Sequence, residues 1–358
     1  MTSNPYSSLP ESSFWRRSVS SVPPEEVDPV IGFDLAIERD TKIATAGSCF
    51  AQHISRHLSS SGYNHYIAEP GHPLLPDEVR QEQGYGLFSC RYGNIYTARQ
   101  LLQLIERAYG RFEPSEGAWF KAEDIVLDPF RPTVQRGGFV SEAEMLLDRA
   151  QHLAAVRQMF ETLDVFVFTL GLTECWRSSA DGAVFPVCPG IEGGSFDAGR
   201  YEFYNQPVED VIADLREFCL ALARVNPRAE IILTVSPVPL IATAQPGEHV
   251  LSATTYSKSV LRVAADVILR EFGNVHYFPS FEIVAGHFNR GGYYADDLRN
   301  VTEAGVSHVM RLFMKHATTA DHHERASDAR AGESVSDYLK TSQQLIDVEC
   351  DEILLDRS

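Results

Sequence analysis

Residues 164–171 read Asp164-Val165-Phe166-Val167-Phe168-Thr169-Leu170-Gly171, or DVFVFTLG. This stretch decides the fold. A continuous apolar run that stops at a glycine describes a strand buried on both faces, as in the interior of a parallel sheet. Before it, SEAEMLLDRAQHLAAVRQMFETL (141–163) is a helix opened by Ser141, with Glu144 three residues on as in a capping box. After it, VEDVIADLREFCLALARVNP (208–227) places Val208, Val211, Ile212, Leu215, Cys219 and Leu222 at helical spacing and stops at Asn226-Pro227.

The same alternation extends in both directions. EIILTVSPVP (230–239) is a second buried strand, YSKSVLRVAADVILREFG (256–273) a helix closed by Gly273, VHYFPSF (275–281) a further strand and TEAGVSHVMRLFMKH (302–316) the last core helix. Upstream, TKIATA (41–46) is a short strand, and Phe50, Ile54 and Leu58 put a helix directly behind it. NHYIAEP (64–70) reads as a strand, YTARQLLQLIERAYG (96–110) as an amphipathic helix and GAWFKAEDIVLDPFRP (117–132) as a hairpin. Strand and helix in alternation over 41–316 predict a three-layer, doubly wound α/β sandwich with a mainly parallel sheet. Insertions are expected near 66–140 and 175–207. Residues 1–40, rich in Ser and Pro, read as an arm laid over the domain with Phe14 and Trp15 as anchors, and 317–358 as an acidic, solvated tail.

Bulk properties narrow the partners. With 358 residues, 44% of them hydrophobic, the chain can bury a full core, and its net charge of −18 repels nucleic acid and anionic membrane surfaces alike. The six cysteines include no CxxC pair, and no histidine spacing, His322-His323 included, suits a metal. Neither an apolar leader nor a run of 18 apolar residues occurs, so the expectation is a cytoplasmic protein without a membrane span. No P-loop or dinucleotide fingerprint is present, which predicts no bound cofactor.

In a doubly wound sheet, ligands bind at the C-terminal ends of the strands. Those ends carry Gly47-Ser48-Cys49, Gly171-Leu172-Thr173-Glu174, Ser236-Pro237 and the loop 285–300. Ser48 and Cys49 both follow a glycine and precede a helix, where a nucleophile gains from the positive helix end. Each also has a plainer role, Ser48 as a helix N-cap and Cys49 as a small buried apolar group.

AGSCFAQHI (46–54) resembles the defining motif of the GSCFA family, a branch of the SGNH (GDSL-like) hydrolase superfamily. YGNIYTARQLL, FTLGLTECW, LTVSPVP, YSKSVL and YYADDLRNVTEAG follow in family order, so the likeness spans roughly residues 41–310. It implies an SGNH/flavodoxin-like fold and acyl transfer at an O-acyl ester, on a carbohydrate or cell-envelope glycan precursor. Water as acceptor gives an esterase or deacetylase and a sugar hydroxyl gives an O-acyltransferase, with acyl-CoA as the coenzyme such a transferase would draw on. Aligning the glycines puts Cys49 at the nucleophile position and Ser48 at the aspartate; a one-residue shift makes Ser48 the nucleophile.

The resemblance assigns oxyanion and substrate-binding positions to Gly93, Asn94, Gly171, Thr173 and Glu174, with Thr173 where the family pattern has asparagine. Gly93-Asn94 also suits an ordinary turn, and Thr173 and Glu174 also suit capping. The departure at the C-terminal block is sharper: Asp297-Leu298-Arg299-Asn300 matches Asp-x-x-His, with Asn300 in the place of the histidine. Asparagine accepts no proton at neutral pH. His53, one helical turn after Cys49, is the nearest substitute base, and His287 and His308 follow; each also reads as a surface or packing histidine. Two functions therefore stand at this level: an acyl-transfer enzyme, and a binding or scaffold protein on the same fold that has lost its chemistry with Asn300.

Overall fold

The computed structural model describes residues 4–122 and 124–319. The acidic tail expected from 317 lies outside the described residues from 320 onward. In chain order the elements are β1 (Ile43–Gly47), α1 (Cys49–Ser60), α2 (Asp77–Glu82), α3 (Ala98–Ala108), β2 (Trp119–Ala122), β3 (Ile125–Leu127), α4 (Glu142–Thr162), β4 (Val165–Leu170) and β5 (Glu174–Ser178). There follow β6 (Val184–Phe185), β7 (Tyr201–Asn205), α5 (Val208–Val225), β8 (Glu230–Val235), α6 (Val250–Glu271), β9 (Val275–Tyr277), α7 (Ser280–Ala285) and α8 (Glu303–Ala317).

The central sheet runs β1-β4-β8-β9, every pair parallel, with Gly47 opposite Thr169 and Thr169 opposite Thr234. Alternate residues of β4 serve opposite faces, as a pleated strand dictates. Phe166 and Phe168 pack with Val156, Leu215 and Leu261 from α4, α5 and α6. Val165 and Val167 pack with Phe50 and Ile54 of α1, Ile283 of α7, and Val309 and Phe313 of α8. The result is a three-layer α/β sandwich in which α1 leaves β1 directly onto the second face.

Several boundaries differ from the sequence expectation, each for a local reason. Residues 64–70 contribute only a bridge from His65 to Ile43, because Ala68 turns away to donate to the Ser89 carbonyl at 2.8 Å. The strand expected over 275–281 ends at Tyr277, where Pro279, which has no N–H to give a ladder, introduces α7. α6 starts at Val250 rather than Tyr256, capped by His249 Nδ1, which accepts from the Leu251 N–H at 3.1 Å. The hairpin of 117–132 forms as β2 and β3, whereas α3, inside the expected 66–140 insertion, joins the main core. The other expected insertion is a small antiparallel sheet ordered β6-β5-β7.

The N-terminal arm is held by other residues than Phe14 and Trp15. Val27, Val30 and Ile37 are its buried apolar side chains, and Asp28 receives Lys315 and His316, both at 2.7 Å. Ile37 also bridges Thr318 in parallel. Trp15 is 58% exposed and stacks on His287 at 5.1 Å between centroids.

Candidate active site

The site is organised around Gly47. Its φ of +140° disfavours any side chain, and a Cβ there would sit 2.5 Å from the Thr169 carbonyl oxygen, so only glycine lets β1 end against β4 this closely. The Gly47 carbonyl accepts the Ile95 N–H at 2.9 Å, which pins the Gly93-Asn94 loop to the strand end. The next residue, Ser48, donates its N–H to Thr169 at 3.3 Å, and Cys49 is the first residue of α1.

Ser48 is not a side-chain N-cap. Its hydroxyl makes no capping bond and, among the described residues, this buried oxygen has no hydrogen-bond partner. The Thr169 and Thr234 hydroxyls are in the same condition. Both threonines are Cα partners in the β4–β8 register, and their odd-numbered and even-numbered neighbours Val167 and Ile232 face α1, so the two hydroxyls share that face. Buried hydroxyls ordinarily find partners. Here unspent ones occur at the C-terminal ends of three adjacent strands, under the start of α1. The sequence reading missed Thr169 and Thr234, although each is the one hydroxyl residue in an otherwise apolar strand (VFVFTL and IILTV).

The second strand end is tied down by internal bonds. Gly171 and Leu172 both donate to the Tyr96 carbonyl, at 3.0 and 3.1 Å. The Gly171 carbonyl accepts from the buried Lys258 Nζ at 2.6 Å, and the Thr173 N–H donates to Ser257 Oγ at 3.0 Å. The Thr173 hydroxyl donates to Asn205 at 2.6 Å, and Glu174 accepts from the Thr243 hydroxyl at 2.6 Å. Thus Gly171, Thr173 and Glu174 lock β5 and the 240–244 loop onto the site, and the donors of Gly171 and Thr173 are committed there. Beside them an apolar cavity of about 220 Å³ opens between Tyr96, Leu172, Trp176, Phe203, Leu240 and Ile241.

A sequence profile of the GSCFA family matches residues 42–313. The chain belongs to the GSCFA family. No curated protein matches it. Among solved structures it is similar to a carbohydrate esterase family 3 from Talaromyces cellulolyticus, with 11% identity over 76% of this chain and 94% of that one and a TM-score of 0.34.

Within this GSCFA chain, Asp297 and Asn300 form a closed pair. Asp297 accepts the Arg299 and Asn300 N–H groups at 3.0 and 2.9 Å, and Asn300 Nδ2 donates to its other oxygen at 2.7 Å. The loop rests on the segment leaving β8, through Tyr294 to the Pro237 carbonyl at 2.8 Å and Arg299 to the Pro239 carbonyl at 3.2 Å. β8 lies two strand spacings, about 10 Å, from β1. Val301 and Tyr293 share an apolar cluster with Phe50, so this loop and the start of α1 pack into one body.

The histidines are held elsewhere. His53 lies against Phe50 at 5.7 Å, and burial, with Arg56 nearby, brings its pKa down to about 3. That is far from the range in which a general base works at neutral pH. His308 takes the Tyr293 hydroxyl on Nδ1 at 2.8 Å and His287 is stacked on Trp15. Among the described residues no group of three His, Cys, Asp or Glu side chains is arranged to hold a metal, and no helix is long and apolar enough to cross a membrane.

Proposed function

We propose that this GSCFA protein transfers acyl groups at O-acyl esters in the manner of SGNH hydrolases, with Cys49 as nucleophile and a carbohydrate or glycan precursor as substrate. The observation that carries the reading is the end of β1: Gly47 presses against Thr169 and delivers Ser48, with an unspent buried hydroxyl, to the first turn of α1. The Ser48 N–H is already given to Thr169 and that of Ala51 to the Ser48 carbonyl, so the Cys49 and Phe50 amides between them are the ones left to meet an oxyanion. This favours Cys49 over Ser48 as the attacking residue. A thiol at a helix N-terminus ionises readily and needs less help from a base than a serine, which suits a site where Asn300 stands at the base position.

In the first half-reaction the thiolate attacks the acyl carbonyl, a C–S bond forms, the C–O bond breaks, and the departing alkoxide takes a proton from water. Water or a sugar hydroxyl then attacks the thioester, loses its proton to solvent and restores the thiolate. The apolar cavity beside Leu172 supplies room for the acyl part: an engineered cavity of about 150 Å³ already admits benzene. A second reading draws on the Asp297–Asn300 pair, which closes on itself and holds no imidazole to relay a proton; the protein is then a binding module on the same fold.

Hydrolysis of a short-chain nitrophenyl ester, with Ser48→Ala/Cys49→Ala as blank, separates the two. Turnover that iodoacetamide abolishes by modifying Cys49 supports acyl transfer. Activity retained in Cys49→Ala and lost in Ser48→Ala moves the nucleophile to Ser48. Identical rates in the chain and its blank support the binding module.

A further inference from the structure

Behind the Gly93-Asn94 loop lies a smaller cavity of about 30 Å³, bounded by Asn94, Gln100, Gln103, Arg107, Arg131 and His152 among others. It adjoins a cluster of paired charges. Arg91 meets Asp148 at 2.8 Å, Arg131 meets Asp128 at 2.9 Å and Asp148 at 2.7 Å, and Arg149 meets Asp128 at 2.8 Å. Glu69 accepts the Arg91 N–H and meets His152 Nδ1, both at 2.7 Å. With Arg107 the cluster holds four guanidinium groups (Arg91, Arg107, Arg131, Arg149) against three carboxylates (Glu69, Asp128, Asp148), one positive charge in excess.

Most of the polar groups around the cavity are spent. Gln103 donates to the Gly182 carbonyl at 2.8 Å and accepts from the Val184 N–H at 2.9 Å. Gln100 accepts from the Tyr96 and Thr97 N–H groups at 2.9 and 3.2 Å. Arg131 is committed to its two carboxylates. His152 Nε2 and Arg107 Nη2 are both buried and have no partner among the described residues. The His152 side chain is 1% exposed, and Arg107 lies over the Phe130 ring at 3.8 Å. Burial, opposed by Asp128 and reinforced by Arg149 and Arg131, pulls Arg107 down to about 9. A cation so placed is short of negative charge.

We propose that this cavity binds a small monovalent anion of chloride's size, held between Arg107 Nη2 and His152 Nε2. With His152 protonated the cluster carries two positive charges in excess, and the anion cancels one of them; such charge is costly to leave unpaired in the interior. In the complex the anion holds His152 as the imidazolium, donating to Glu69 from Nδ1 and to the anion from Nε2, against burial and Arg131, which lower its pKa. A water needs roughly 10–15 Å³ of such space, so the cavity accepts one monatomic ion and excludes a sugar or a phosphate ester. Because Asn94 borders the cavity from the site loop and Arg131 borders it from the segment after β3, the ion ties that loop to the insertion. None of this depends on the acyl-transfer reading.

Crystals of the unaltered chain soaked in sodium bromide provide the direct test. The expected result is an anomalous peak within hydrogen-bonding reach of His152 and Arg107. In solution the melting temperature should be higher in sodium chloride than in sodium gluconate at equal ionic strength, with a saturating dependence on chloride. Arg107→Gln and His152→Phe should each remove that difference. A cavity filled by water in the bromide crystal, or equal melting in the two salts, overturns the proposal. The soak needs no variant, so a substitution that fails to fold leaves the test standing.

Discussion

Gly47→Ala isolates the contact on which the site is built. The new Cβ would meet the Thr169 carbonyl oxygen at 2.5 Å and the Thr169 Cβ and N at 2.8 Å, at a residue whose φ is +140°. An alanine at positive φ costs about 1–2 kcal/mol. Forcing two packed strands apart adds about 1–3 kcal/mol. The expected loss is thus about 2–5 kcal/mol. Gly93→Ala is the matched control: its φ is +68°, but nothing lies within 4 Å of the added carbon, so only the backbone cost of about 1–2 kcal/mol applies. Urea unfolding of both variants, read as the shift in midpoint at constant slope, should separate them by about 2 kcal/mol. If Gly47→Ala is no worse than Gly93→Ala, β1 does not close on β4 as described, and the placement of Ser48 and Cys49 loses its support.

Three further outcomes are expected. Asn300→His restores a proton acceptor beside Asp297 and should raise kcat/KM on an activated ester by about 10²–10⁴-fold with a new pH limb near 6.5; an unchanged rate would mean that position 300 is not the base position. Thr173→Val strands Asn205 and should cost about 1–3 kcal/mol of stability with kcat unchanged, whereas a 10²-fold or greater fall in kcat would make Thr173 an oxyanion donor after all. Burial alone would raise the Glu69 carboxyl, but His152, Arg131 and the Arg91 N–H together hold it at about 2, below its usual 4.5. Its contribution, about 3 kcal/mol, is therefore complete above pH 4.5 and lost as the pH falls toward 2. The stability gap between the chain and Glu69→Gln should shrink over that interval, and a constant gap would refute the pairing.

The parts of the fold legible in the sequence are those with a single dominant constraint. DVFVFTLG and EIILTV each hold a run of consecutive apolar residues because both faces of β4 and β8 are covered. The start of α6 was obscured because its cap is a histidine rather than Ser, Thr, Asp or Asn. β5 and β7 were obscured because half-buried residues such as Trp176 and Phe203 line a cavity and break the alternation a two-faced strand would show. At the site, Gly47-Ser48-Cys49 stands out since strand, glycine and helix are contiguous. Thr169 and Thr234 do not, because a β-branched residue in a strand is ordinary until its neighbours reveal a hydroxyl without a partner. The Glu69–His152 pair lies 83 residues apart in the chain and carries no local signal at all.

The arm has a bearing on how the protein is made. Asp28 finds Lys315 and His316 across 287 and 288 residues of chain. A ribosome adding about 5–20 residues per second takes roughly 15–60 s to cover that distance. Throughout this interval Asp28 and the Ile37 N–H have been made without their partners Lys315, His316 and the Ala317 carbonyl, since α8 does not yet exist. A segment made long before α8 is thus among the last to dock, and its apolar residues are ones a holding chaperone would meet during synthesis.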